Sequence, residues 1–214
     1  MLLGQLVAIS VAANLFYLAV CRSAPPSRSG KPNSPFLAPP GLWLSIMLSF
    51  ITIGISPLTS DHTFLPNLLA MHSLLFVPLF CTAPTQLADK NAFSIRIRTL
   101  YSLITFFALI LRLRTIMAVF PFIPPQAQPL NALAVTVWRV LHSHPAQSSI
   151  GWDVAWATIS FLVWKVVGPR AKTHQSLGPK LLPLVASTLV ASVGVSAADD
   201  WRKDEGAEEL NREE

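Results

Sequence analysis

The chain has 214 residues, of which 52% are hydrophobic and 13% charged, with a formal net charge of +5. Soluble domains carry about 25% charged residues, so this composition, with a mean hydropathy of +0.50, excludes an ordinary soluble globule and points to a polytopic membrane protein. The positive charge is no sign of a nucleic-acid partner, because the bases lie in short loops between apolar runs, where they serve topology.

Taken in chain order, six apolar segments stand out: 2–20, 40–57, 65–83, 99–120, 150–167 and 181–198. Each approaches the roughly 20 residues that a bilayer crossing needs. The first is an anchor rather than a cleaved signal, because its positive residues follow it. The sixth is rich in alanine, serine and valine, which suits close helix packing. A further stretch, 130–142, is too short to cross and reads as an amphipathic helix, interfacial or re-entrant. The expected fold class is therefore all-α. It is a transmembrane helical bundle of about six spans plus this one helix, forming a single domain over 1–198. Residues 199–214 read as an acidic, flexible C-terminal tail.

The loops alternate in charge. Arg22, Arg28 and Lys31 lie in the first, Lys90, Arg96 and Arg98 in the third, and Lys165, Arg170, Lys172 and Lys180 in the fifth, so ten of the sixteen bases fall on one side. The positive-inside rule makes that side cytoplasmic. Both termini are then lumenal, with the endoplasmic reticulum as the expected membrane. Proline at 66, 78, 121, 124, 125 and 183 breaks or kinks the spans, and the stretch over 23–40 is rich in proline and serine.

No Walker loop, dinucleotide fingerprint or zinc framework is present, so no metal and no cofactor are expected. Cys21 and Cys81 end apolar segments without C-x-x-C spacing, as small hydrophobes or lipidation sites would. Asp199 and Asp200 lack the D-D-x-x-D spacing of a magnesium–diphosphate site.

Ionisable residues inside spans are costly and mark candidate sites. At 1.5 Å per residue, His72 lies about 12 Å below the lumenal surface, and Arg112 and Arg114 about 20 Å along a span that rises from the cytoplasm. Asp153 falls in the first turn of the fifth span. Asp61 and His62 lie in a lumenal loop, and Arg139, His142 and His144 in or beside the interfacial stretch. The spans' ionisable groups thus converge on one leaflet, where Arg112 or Arg114 is placed to pair with Asp153. His142 and His144 are two apart and diverge on a helix, which argues against a metal site. Asp153 could act as a proton donor or as a structural brace, since desolvation and a cationic partner act on it in opposite senses; it could also serve a helix end. Asp153, Ala157, Ser160 and Trp164 share one stripe, a small-lined groove beside the acid with Trp152 and Trp156 alongside. Those tryptophans either face a cation or form an interfacial belt.

Residues 144–164, HPAQSSIGWDVAWATISFLVW, on a small polytopic chain with proline-rich loops, resemble small fungal integral-membrane proteins of natural-product pathways, in particular the membrane-bound terpene cyclases of meroterpenoid biosynthesis. The resemblance implies an isomerase or lyase of secondary-metabolite biosynthesis. A membrane carboxylic acid there protonates an olefin or epoxide of a farnesyl-type chain, and the carbocation cyclises against aromatic walls. On the resemblance only Asp153 inherits the acid role, with Trp152 and Trp156 as aromatic walls; in an intramembrane enzyme on such a substrate a histidine or arginine, His72 or His144 among them, would tune the acid. Trp152, Trp156, Ser160, Arg112, Arg114 and His142 would line the site of a lipophilic substrate. Two other readings stand beside it: a non-catalytic membrane subunit or scaffold whose polar groups brace the bundle, and a small-solute carrier using Asp153 and His72.

Overall fold

The structure is a computed structural model that describes residues 9–22, 37–80, 93–119, 121, 129–167 and 177–213. Among these residues the chain is all-α but for a two-residue ribbon. Its helices are α1 (Ile9–Arg22), α2 (Pro40–Ile55), α3 (Asp61–Phe80), α4 (Ile97–Val119), α5 (Pro129–Leu141), α6 (Pro145–Val167), α7 (Leu177–Ala191) and α8 (Val193–Glu213). In the ribbon, β1 (Leu37–Ala38) and β2 (Ile95–Arg96) pair antiparallel, Leu37 opposite Arg96 and Ala38 opposite Ile95. Three helical segments are long and apolar enough to cross a membrane: Pro40–Leu58, Ile97–Val119 and Pro145–Val167. These match the second, fourth and fifth expected spans. α1 and Leu181–Ala191 are apolar but shorter. α3 has 20 residues and carries Asp61, His62, Asn67 and His72.

The chain divides into two compact units. One comprises residues 1–2, 23–109 and 194–214, the other 3–22 and 110–193, so α4 contributes its first half to one and its second half to the other.

In the first unit α2 and α3 form a hairpin. Pro40 opens α2 at a position where its missing N–H costs nothing. At the other end Pro57 follows Ser56 in a short 3₁₀ turn, and Ser60 starts α3, with the Thr63 hydroxyl accepting the Ser60 N–H at 2.9 Å. Asp61 in the first turn complements the helix dipole. Along α2 the hydroxyls of Ser45, Ser49, Thr52 and Ser56 each donate to a carbonyl three or four residues back, so a polar stripe can be buried without orphaned donors. Ser45 and Ser49 are buried, and such small residues let helices approach closely. Asn67 on α3 ties the pair together, its amide donating to the Thr52 carbonyl at 3.1 Å and to the Ser56 hydroxyl at 3.0 Å. Tyr101 on α4 lies 6.0 Å, ring to ring, from Trp201 on α8, whose Val195–Ala198 run is buried.

In the second unit α1 packs along α6. Ile9 and Ser10 meet Asp153, and Tyr17 stacks on Trp164 at 4.9 Å, so residue numbers rise together and the two helices run parallel. Phe161 is fully buried and Ala157 nearly so.

Three expectations change. The fifth span begins at Pro145 rather than Ile150, because His144 and Pro145 start the helix before the apolar run does, and Asp153 therefore lies in the third turn. The sixth segment is not continuous: Ser192, at φ 88°, breaks it between α7 and α8. The stretch read as a flexible tail is helical to Glu213, since it is rich in good helix formers and Asp199 accepts hydrogen bonds from Arg202 and, at 2.6 Å, from Lys203 one turn on. Cys81, the prolines at 124 and 125, and the bases at 28, 31, 90, 170 and 172 lie outside the described residues.

Replacing Asn67 with alanine removes both bonds across the hairpin and is expected to cost about 1 kcal/mol, read as a lower SDS-unfolding midpoint, whereas Ser102→Ala on the exposed face of α4 leaves it unchanged. A second expectation concerns pH. Burial pushes the Asp199 carboxyl up, but the hydrogen bonds and charges of Lys203 and Arg202 outweigh it, and the group sits below its ordinary value. A depressed carboxylate stabilises the fold above about pH 4, and that contribution is lost as pH falls through the lower folded value. Acidifying from pH 5 to pH 3 should therefore lower the unfolding midpoint more in wild type than in Asp199→Asn.

Candidate functional site

Asp153 is the residue on which the functional readings turn. It sits on α6, and both its oxygens accept hydrogen bonds from the first turn of α1. The Ile9 N–H donates to Oδ2 at 2.7 Å and the Ser10 N–H to Oδ1 at 2.9 Å, and the Ser10 hydroxyl also donates to Oδ1. The first N–H groups of a helix have no acceptor within it. A carboxylate is the strongest side-chain partner for them, and its charge opposes the positive end of the helix dipole. Here the cap comes from a residue more than 140 positions away.

Arg112 on α4 plays the opposite part. Its Nε–H donates at 3.0 Å to the carbonyl of Val190, one residue from the end of α7. The last carbonyls of a helix are as orphaned as the first N–H groups, and a guanidinium suits that negative end. The pairing of Arg112 with Asp153 that equal depth suggested is not what forms. Each charge serves a helix terminus instead. Arg114 is exposed on the same helix.

The expected groove on α6 is occupied at both ends by α1. Asp153 holds Ile9 and Ser10, Trp164 stacks on Tyr17, and Ala157 between them is buried. Ser160 donates its hydroxyl back to the Trp156 carbonyl at 2.8 Å. Trp152 and Trp156 are exposed. The Trp164 indole N–H is buried without a hydrogen-bond partner, while Lys165 reaches over the ring at 5.6 Å.

The histidines do local work. His144 Nδ1 accepts the Ala146 N–H at 3.2 Å, which makes it the cap of α6. His142 Nδ1 donates to the Trp138 carbonyl at 2.9 Å, and its ring lies 4.2 Å from Trp138 and 6.3 Å from Trp152. His72 Nδ1 donates to the Leu68 carbonyl at 2.7 Å, and it belongs to the other unit from Asp153. Among the described residues no three metal-ligating side chains gather. The structure thus brings together Asp153 with α1, and His142 with Trp138 and Trp152. Ser10, Tyr17 and Val190 were not singled out from sequence. Ser10 is the one with a visible signal, a cap-forming residue near the start of an apolar run.

No family model matches the chain, and searches of curated proteins and of solved structures find no match either.

Removing the cap should be costly. Asp153→Ala leaves two backbone donors and a hydroxyl without their partner and is expected to destabilise by about 2 kcal/mol, the range for hydrogen bonds to charged groups. Ser10→Ala should cost about half that. In the double variant the losses should fall short of their sum by at least about 0.5 kcal/mol, because the two residues share one interaction; additive losses would mean that they do not.

Proposed function

We propose that the chain is a multi-pass integral membrane protein of the endoplasmic reticulum that acts as a non-catalytic subunit or scaffold, its intramembrane charges bracing the helix bundle. The observation that carries this reading is the bonding of Asp153. Both oxygens serve as acceptors for α1, whereas a proton donor to an olefin or epoxide must present an O–H to an open site. A solute carrier that uses Asp153 faces the same objection.

The parallel course of α1 and α6 supports a six-span topology. If α6 crosses the bilayer, the end of α1 and the start of α6 lie on opposite sides, and the chain crosses an odd number of times between them. α2 and α4 supply two crossings. α3, at 20 residues, is the remaining described helix there that is long enough to supply a third. Arg22 and Lys165, in the last turns of α1 and α6, then share one side, which the positive-inside rule makes cytoplasmic. The N-terminus and the start of α6 are lumenal on this reading. A sixth crossing by the segment around α7 makes the C-terminus lumenal too.

The test is expression in a microsomal host with a panel of epoxy-farnesyl and prenylated phenolic substrates, wild type against Asp153→Asn. The scaffold reading expects no product from either protein and a lower thermal stability in the variant. Product from wild type that is lost in a folded Asp153→Asn protein would establish the cyclase instead.

A further inference from the structure

Among the described residues, the hydrogen bonds that Asp153 and Arg112 make to α1 and α7 do not involve the short helix α5 or the corner that joins it to α6. α5 has 13 residues, about 20 Å at 1.5 Å per residue, too short for a hydrocarbon core of about 30 Å. At 100° per residue Val137, Val140 and Leu141 fall on one side of it, and Asn131, Thr136 and Arg139 on the other. A helix dipping into the bilayer would be apolar all round; one with two unlike faces suits a boundary between apolar and polar media.

The corner holds α5 in a defined direction from α6. The turn is only His142–His144. His144 caps α6, and the Ser148 hydroxyl donates back to the Leu141 carbonyl at 2.5 Å. A methyl group added at Gly151 would sit 2.2 Å from Leu141 Cδ1, so glycine is what lets Leu141 lie against the α6 backbone. The His142 ring links Trp138 to Trp152 across the joint. α5 therefore cannot swing freely about the end of α6.

Beside its polar groups this rigid corner exposes large apolar side chains: Trp138 is 61% exposed, Val137 57% and Val140 52%. Indole rings with a polar N–H edge favour the headgroup level of a bilayer, and an adjacent arginine meets phosphate there. Trp152, on the first turns of a helix apolar and long enough to cross, continues the same aromatic edge. We infer that the α5–α6 corner is a lipid-binding elbow, with α5 lying in the headgroup–acyl boundary of the bilayer that α6 crosses, Val137 and Val140 toward the acyl chains and Arg139 toward the phosphates. The inference rests on the reading of α6 as a span. The elbow sets the depth at which α6 enters and, through it, the level of Asp153.

Spin labels in reconstituted vesicles of phosphatidylcholine and phosphatidylserine test it. With Cys21 and Cys81 replaced by serine, the label is placed singly through Val137→Cys, Arg139→Cys and Val154→Cys, and through Val140→Cys and Asn131→Cys as a second pair on the same two faces. Collision rates with oxygen and with a water-soluble nickel chelate are then measured. The elbow predicts an oxygen-to-nickel ratio several-fold higher at 137 than at 139, and at 140 than at 131, with Val154 oxygen-rich. Val154 accessible to nickel rather than oxygen would sink the membrane reading itself. With Val154 oxygen-rich, two outcomes overturn the elbow alone. Uniformly high oxygen along α5 means a re-entrant helix. Low collision with both reagents at 137 and 140 means a face covered by protein, a second copy of the chain included.

Discussion

The first N–H groups and last carbonyls of a helix have no partner within it, and this constraint governs the second unit. α1 presents its first N–H groups where α6 runs beside it, and Asp153 takes them. α7 ends at Ala191, and Arg112 takes the carbonyl of Val190. An anion sits at a positive helix end and a cation at a negative one, so each charge is compensated by backbone dipoles rather than by the other. The parallel packing of α1 on α6, with the Tyr17–Trp164 stack further along, follows once the first turn of α1 is held at Asp153.

The same economy runs through the smaller polar groups. The hydroxyls of α2 fold back on their own helix, and Asn67 makes the bonds that tie α3 to it. His72, His142 and His144 each bond a backbone group within four residues. That physical pattern, more than the resemblance of residues 144–164 to terpene cyclases, supports the scaffold reading.

Much of the architecture was legible because hydropathy reports what a bilayer demands. α2, α4 and α6 were expected within a few residues, and α5 was recognised as too short to cross. The start of α6 was missed by five residues because the polar AQSS stretch hides it from hydropathy, although histidine followed by proline is a readable start. The break at Ser192 was invisible, since nothing local marks a serine for the left-handed region. The candidate site was legible only as residues, not as partners. Asp153, Arg112 and the histidines stood out as ionisable groups in or beside apolar runs, but convergence on one leaflet suggested that they would meet. Sequence gives the depth of a side chain along its own helix and says nothing of which helix end arrives beside it. The partners of Asp153 and Arg112 come from distant segments, and apart from the Ser10 hydroxyl they are backbone groups that carry no side-chain signature.

Amide hydrogen exchange at Ile9 and Ser10, resolved by NMR on the full chain in nanodiscs, probes the central interaction most directly. First-turn amides exchange fast unless something outside the helix accepts their hydrogens. The account predicts that both are protected in wild type and lose that protection in Asp153→Ala, while the amides at the centre of α4 keep theirs. Fast exchange at Ile9 and Ser10 in wild type, or protection unchanged by the substitution, would contradict it.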